Sequence, residues 1–196
     1  QAGALPDGWD PNMQNIVLYN SSEDEYVAVS NQWSNPLYPS QLDAIDMMIE
    51  SLKKDPIPNT RLYLRAHPHL KGTKNAWMDR MYALDPEYVT IIPPEAKIHS
   101  YDLMKAADKV LTWASTVGIE AAYFETPSIA AGPSYYRNLG STHNPTSHEE
   151  VMTMFREPLE PMPIEGALIY GYYQNAKGYH FKYYKPTKLW EGTFNG

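Results

Sequence analysis

The chain has 196 residues, 43% of them hydrophobic, a formal net charge of -7 and no cysteine. That length supports one sizeable core, the missing thiols exclude disulfides and thiolate metal sites, and the acidic balance argues against nucleic acid, whose phosphates call for clustered Lys and Arg. No apolar run approaches the roughly 18–20 residues that span a membrane, and no signal peptide is visible.

The chain does not begin with Met and its first ten residues read as a loop, so a fragment of a longer protein is expected. Asn15 to Asn20, NIVLYN, reads as a buried strand, and SSEDEY after it as an acidic loop or helix start. Pro39 to Lys54 is the clearest helix: Ser40 can cap it, and Leu42, Ile45, Met48, Ile49 and Leu52 line one face. Arg61 to Ala66 is a second strand, Asn75 to Ala83 a helix, and Tyr88 to Ile92 a third strand stopped by Pro93 and Pro94. Ser100 to Ala107 reads as a short helix, Lys109 to Trp113 as a strand, Thr116 to Phe124 as a helix and Pro127 to Ala131 as a fifth strand. Helices are expected around Ser147 to Arg156 and Ile164 to Ala176; the aromatic tail from Gly178 shows no clear periodicity.

Strands alternating with helices specify an α/β fold: a Rossmann-like parallel sheet with helices on both faces and a helical C-terminal extension. The expected organisation is a loop or linker over 1–14, a Rossmann-like domain over 15–160, and a helical, aromatic extension over 161–196 packing on that domain. Ligands of such sheets lie beyond the carboxyl ends of the strands. Polar and small residues gather there: Ser21 to Glu25, His67-Pro68-His69, Pro93 to Lys97, Ala114 to Gly118, and Gly132 to Arg137.

Ser115 and Thr116 join a buried strand to a helix, so their amides and hydroxyls suit an anion; an ordinary helix cap is the plainer alternative. His67 ends a strand, where its imidazole can donate to a phosphate or serve a structural role. Glu120, one turn beyond Thr116, offers acceptors to vicinal hydroxyls or stands as a solvated carboxylate. The six histidines are dispersed, and no metal is expected. There is no Gly-x-Ser-x-Gly elbow, Walker loop or Gly-x-Gly-x-x-Gly, which removes most hydrolase, kinase and dehydrogenase readings.

Arg65-Ala66-His67-Pro68-His69-Leu70, then Pro94 to Met104, then Ala107 to Thr112, then Ala114 to Ala121, and finally Gly132 to Gly140 follow one another in a set order. Over Ile16 to Gly140 the chain resembles the donor half of the capsule polysaccharide biosynthesis family, which includes capsular Kdo transferases. The His-Pro and Ser-Thr pair is also similar to that of GT-B sialyltransferases. The resemblance implies a nucleotide-sugar donor, a CMP-sugar, with no cofactor and no metal. It implies phosphate binding by His67, Ser115, Thr116 and Arg65, and ribose or base binding by Glu120, Pro94 and Glu95. Lys97, Ser100, Tyr101 and Arg137 are secondary candidates.

The implied partners are a glycan or glycolipid acceptor and an N-terminal GT-B domain carrying the catalytic residues, without which the isolated chain is expected to be inactive. The implied location is the bacterial cytoplasm, including the inner face of the inner membrane, with any peripheral membrane association made through other parts of the protein. Two other readings remain at this stage: a nucleotide-sugar 2-epimerase, and a non-catalytic module binding polysaccharide through its tyrosines.

Overall fold

In the computed structural model, residues 3–21, 37–177, 182–188 and 191–194 are described. Five strands, β1 (Gln14–Tyr19), β2 (Thr60–Arg65), β3 (Val89–Ile92), β4 (Lys109–Thr112) and β5 (Ser128–Ala130), form one sheet in the order β3-β2-β1-β4-β5. All four pairings are parallel. The helices are α1 (Gln41–Lys54), α2 (Ala76–Tyr82), α3 (Ser100–Ala106), α4 (Val117–Tyr123), α5 (His148–Arg156) and α6 (Glu165–Ala176). Each expected element of the first 176 residues is present, within one or two residues of its expected ends, except that the SSEDEY segment beyond Ser21 lies outside the described residues.

The strands are apolar on both sides because both sides are covered. Ile16, Leu18, Leu62, Leu64, Leu111 and Ile129 pack with α1, α2 and α5. Their alternates Val17, Tyr19, Tyr63 and Val110 pack with α3 and Ala121 of α4. Ser40 caps α1 by accepting the Asp43 amide at 3.1 Å, and the expected stripe from Leu42 to Leu52 is buried. The outer edge of β5 is covered: Ala130 N donates to the His143 carbonyl and His143 N to that of Ser128, both at 2.8 Å.

α6 packs through Gly166 and Ala167, against Ile119 and Ala122 of α4 and a 3-10 turn at Arg137–Leu139. The tail departs from the expectation of an unpatterned segment. Tyr184–Lys188 and Glu191–Phe194 pair antiparallel as β6 and β7. Pro186 and a bulge interrupt the alternation by which a hairpin is read from sequence. Among the described residues no helix is long and apolar enough to cross a membrane.

His148 opens α5 and joins it to α1. Its Nδ1 lies 2.8 Å from the Tyr38 hydroxyl and its Nε2 2.9 Å from that of Ser51. Burial pulls its pKa below the ordinary 6.5. The sign follows: above 6.5 neither state is charged and stability is full, whereas at lower pH the unfolded chain takes the proton first. Stability therefore falls as pH drops through 6.5 toward the folded value. Urea unfolding at about pH 7.5 and about pH 5 is expected to give a lower midpoint in acid, with a smaller fall in His148→Gln. Equal falls in both proteins would remove His148 as the cause.

Candidate functional site

The strands end in register. Tyr19 lies opposite both Arg65 and Thr112, Arg65 opposite Ile92, and Thr112 opposite Ala130. The segments that follow leave at one edge, and the order of strands reverses between β1 and β4, where such sheets open a crevice. His67 follows β2 and Ser115 follows β4, so the topology sets both at this edge. Only β1 separates their strands, a spacing of about 10 Å across the sheet.

Buried polar side chains tie the segments together. The Asn20 side-chain oxygen accepts the His67 amide at 2.8 Å. Ser21 donates its hydroxyl to the Trp113 carbonyl. Gln41, 1% exposed, accepts the Ser21 amide at 2.9 Å and donates to its carbonyl at 3.1 Å. Sequence reasoning did not single out Asn20, Gln41 or Trp113. The only available signal was the polar residue closing an apolar strand.

Ala114, at φ 53, bends the chain out of β4 into the turn before α4. Ser115 Oγ accepts the Val117 amide at 3.3 Å; its carbonyl accepts the Gly118 amide at 3.2 Å and the Tyr136 hydroxyl at 2.5 Å. Thr116 is exposed and its hydroxyl makes no cap. Among the described residues the Ser115 and Thr116 amides have no protein acceptor. The turn therefore leaves two donors and a hydroxyl without an acceptor among the described residues at the edge of the sheet.

Glu120 is half-buried and stands near the Tyr101 hydroxyl, whose pKa burial and then the Glu120 charge raise. It also lies in the field of two buried phenols. Burial raises Tyr19 far above the ordinary range, Arg65 opposes this and Glu120 adds to it. Burial raises Tyr136 to about 12, with the nearby Thr112 and Ser134 hydroxyls opposing, and Tyr170 and Glu120 adding. A cavity of about 520 Å³ opens beside Glu120, walled by Tyr101 of α3, Thr116 and Phe124 of α4 and its end, and Tyr170 and Tyr172 of α6.

The two candidate arginines are held by main-chain carbonyls. Arg65, 5% exposed, donates to Pro93 at 2.6 Å and to Ala96 and Ile98 at 3.5 Å. Burial lowers its pKa, with Tyr19 and Glu95 opposing. It thus braces the loop that carries Pro94, which is buried, and Glu95 and Lys97, which are exposed. Arg137 donates to the carbonyls of Ala130, Gly132 and Pro145 at 3.0, 3.3 and 3.0 Å. The Ser100 carbonyl accepts the Tyr19 hydroxyl at 2.9 Å, which fixes the start of α3 and hence Tyr101. His67 Nδ1 accepts the His69 amide at 3.3 Å, a geometry that suits the neutral ring with its hydrogen on Nε2.

Three clusters therefore share one edge: His67 with His69 and Asn20, Ser115 and Thr116 with Glu120 and Tyr101, and the Arg65-braced loop. Arg137 stands apart among the carbonyls it holds. Among the described residues no three His, Cys, Asp or Glu side chains gather in a way that would hold a metal ion.

A family model described as capsule polysaccharide biosynthesis protein matches residues 16–161. No curated protein sequence matches the chain. Among solved structures, the chain is similar to the beta Kdo 2,4 transferase of Thermosulfurimonas dismutans KpsC, at 21% identity and a TM-score of 0.53, over 83% of this chain and 46% of that one. It is also similar to the beta Kdo 2,7 transferase of the same KpsC, at 17% identity and a TM-score of 0.48, over 80% of this chain and 44% of that one. A Listeria monocytogenes protein described as a UDP-N-acetylglucosamine 2-epimerase matches at 14% identity and a TM-score of 0.46, over 84% of this chain and 45% of that one. The chain thus spans about half the length of the structures it matches.

Proposed function

The chain belongs to the capsule polysaccharide biosynthesis protein family, and from that premise we propose that it binds the nucleotide-sugar donor, a CMP-sugar, of a metal-independent GT-B glycosyltransferase. Residues 15–160 form the donor domain and 161–196 its extension; an N-terminal domain supplies the acceptor site and the catalytic groups. The enzyme works in the cytoplasm, at or near the inner face of the bacterial membrane where capsule glycan is assembled.

One observation carries the reading: the amides of Ser115 and Thr116, without an acceptor among the described residues, stand at the β1/β4 crevice, on the same edge as His67. Preorganised donors there stabilise the charge on a departing nucleotide phosphate without reorganising. Ser115, Thr116 and His67 hold that phosphate. Glu120 accepts the ribose hydroxyls, and the base lies by Pro94 and Glu95. Arg65 acts on this site through the loop it braces. Lys97, exposed on that loop, supplies mobile positive charge.

A thermal-shift panel of CMP, CDP, UDP, GDP and ADP tests the reading, because a ligand that binds only the folded state raises its apparent stability. CMP is expected to give the largest shift. His67→Ala is expected to weaken CMP binding by about 1.5–3 kcal/mol, the value of a hydrogen bond to a charged acceptor, while the melting temperature without nucleotide stays near wild type. Wild-type CMP affinity in His67→Ala, measured by calorimetry, would return this histidine to a structural role.

A further inference from the structure

We infer that α6 forms one wall of the donor site, with the ribose seated between Glu120 of α4 and Tyr170 and Tyr172 of α6. The inference rests on the donor reading above and extends it to a helix that reading leaves outside the site. The cavity beside Glu120 measures about 520 Å³, within the span of about 300–1,000 Å³ typical of small-molecule sites. It begins at Thr116, in the turn assigned to the phosphate, and runs along α4 past Glu120 to Phe124. A nucleotide gripped by its phosphate at that turn reaches the cavity with its next unit, the ribose.

α6 is held in place by the chain that leads to it. Between α5 and α6 lie Pro158, Pro161 and Pro163, which donate no amide hydrogen and fix φ. Every third carbonyl of this stretch is taken by the body of the domain. Lys109 Nζ donates to the carbonyl of Glu157 at 2.8 Å, His143 Nε2 to that of Glu160 at 2.8 Å, and the Ser141 hydroxyl to that of Pro163. Three residues is the repeat of the polyproline II helix that proline-rich chain favours, so carbonyls at this spacing share a face and the stretch acts as a stiff strap. Its far end sets Gly166 against the Leu139 carbonyl and Ala167 against Ile119 and Ala122. Tyr170 and Tyr172 follow within two helical turns, and both line the cavity.

Gly171 sits between these two tyrosines. Inside a helix, glycine is less stable than alanine. The Leu139 carbonyl requires it at Gly166, whereas a Cβ at Gly171 would meet nothing within 4 Å among the described residues. Packing among those residues therefore gives no reason for the missing side chain, yet Gly171 lines the cavity. Bare backbone at that point lets a ligand come up to α6. A ribose suits the surroundings. Its vicinal hydroxyls can donate to the Glu120 carboxylate, and its C–H face can lie on a phenol ring, which joins apolar surface to a polar tip. Tyr172, 76% exposed, has ring surface to give.

Calorimetric titration of the whole chain with CMP tests the inference in two variants. Gly171→Leu puts a side chain where the cavity meets α6 and at the same time improves the helix. Its melting temperature without nucleotide should equal or exceed wild type, while its CMP affinity should fall about tenfold, the effect of misfit in a close pocket. Tyr172→Ala removes an exposed ring, so it should melt as wild type and lose about fivefold in CMP affinity, the order of one aromatic contact. Should Gly171→Leu melt early, Tyr172→Ala decides alone. Wild-type CMP affinity in either variant, folded as wild type, overturns the inference and leaves the donor reading to stand on His67→Ala. If no nucleotide of the panel binds the wild-type chain, the donor reading falls and this inference falls with it.

Discussion

Trp113→Ala is expected to lower the free energy of unfolding by about 3–5 kcal/mol, the usual cost of emptying a large aromatic site in a core. Trp113 is 1% exposed and packs with Leu111, Ile129 and Ala131 on the α1 side of the sheet. A Cβ at Gly132 would lie 3.1 Å from its indole, which shows how closely the neighbouring strand end approaches. The carbonyl of Trp113 takes the Ser21 hydroxyl, and the next residue bends the chain toward Ser115. Nucleotide binding should therefore fall with stability. Trp113→Phe should recover most of both, since its ring refills much of the space and removes the indole N–H, which is buried without a partner. Urea unfolding of the three proteins measures this, and an Ala variant within about 1 kcal/mol of wild type would be incompatible with an indole holding the core.

Gly166→Val should destabilise by about 3 kcal/mol, near the top of the range for overpacking. A Cβ there would run into the Leu139 carbonyl oxygen and lie 2.6 Å from Ser141 Oγ. The first of these is main chain and cannot swing away, so α6 must move off the Arg137–Leu139 turn. Gly171, one helix face away, has open space where a Cβ would sit. Gly171→Ala is accordingly expected to gain about 0.5–1 kcal/mol, the helix preference alone. Thermal unfolding of the pair reads the contrast, and a Gly166→Val variant as stable as wild type would remove the Leu139 contact as a constraint on α6.

The sheet was legible because burial on both faces makes each strand a short continuous apolar run, and α1 because Ser40 and a stripe at helical spacing mark its start and its inner face. Ser115, Thr116 and His67 stood out because they follow strands in a parallel order, which sends them to one edge whatever the loops do. Arg65 and Arg137 show the limit. Their charge is visible in sequence, but the carbonyls that need donors at 93–98 and 130–145 appear only once the loops fold. Asn20 and Gln41 were hidden for the same reason, since their partners are backbone atoms of remote segments. Tyr101 became meaningful only when α3 was seen to bring it to Glu120.

The cover that His143 lays along β5 gives the sheet two unlike margins. At β5 the outward amide of Ala130 and the carbonyl of Ser128 are already paired. An invading strand would have to displace a native partner before it gained a single bond. At β3 the outermost strand is four residues long and followed at once by Pro93 and Pro94, which donate no amide hydrogens. One margin is thus closed by occupancy and the other kept short by proline, two different protections against edge-to-edge aggregation in a sheet whose strands are otherwise rich in Val, Ile and Leu.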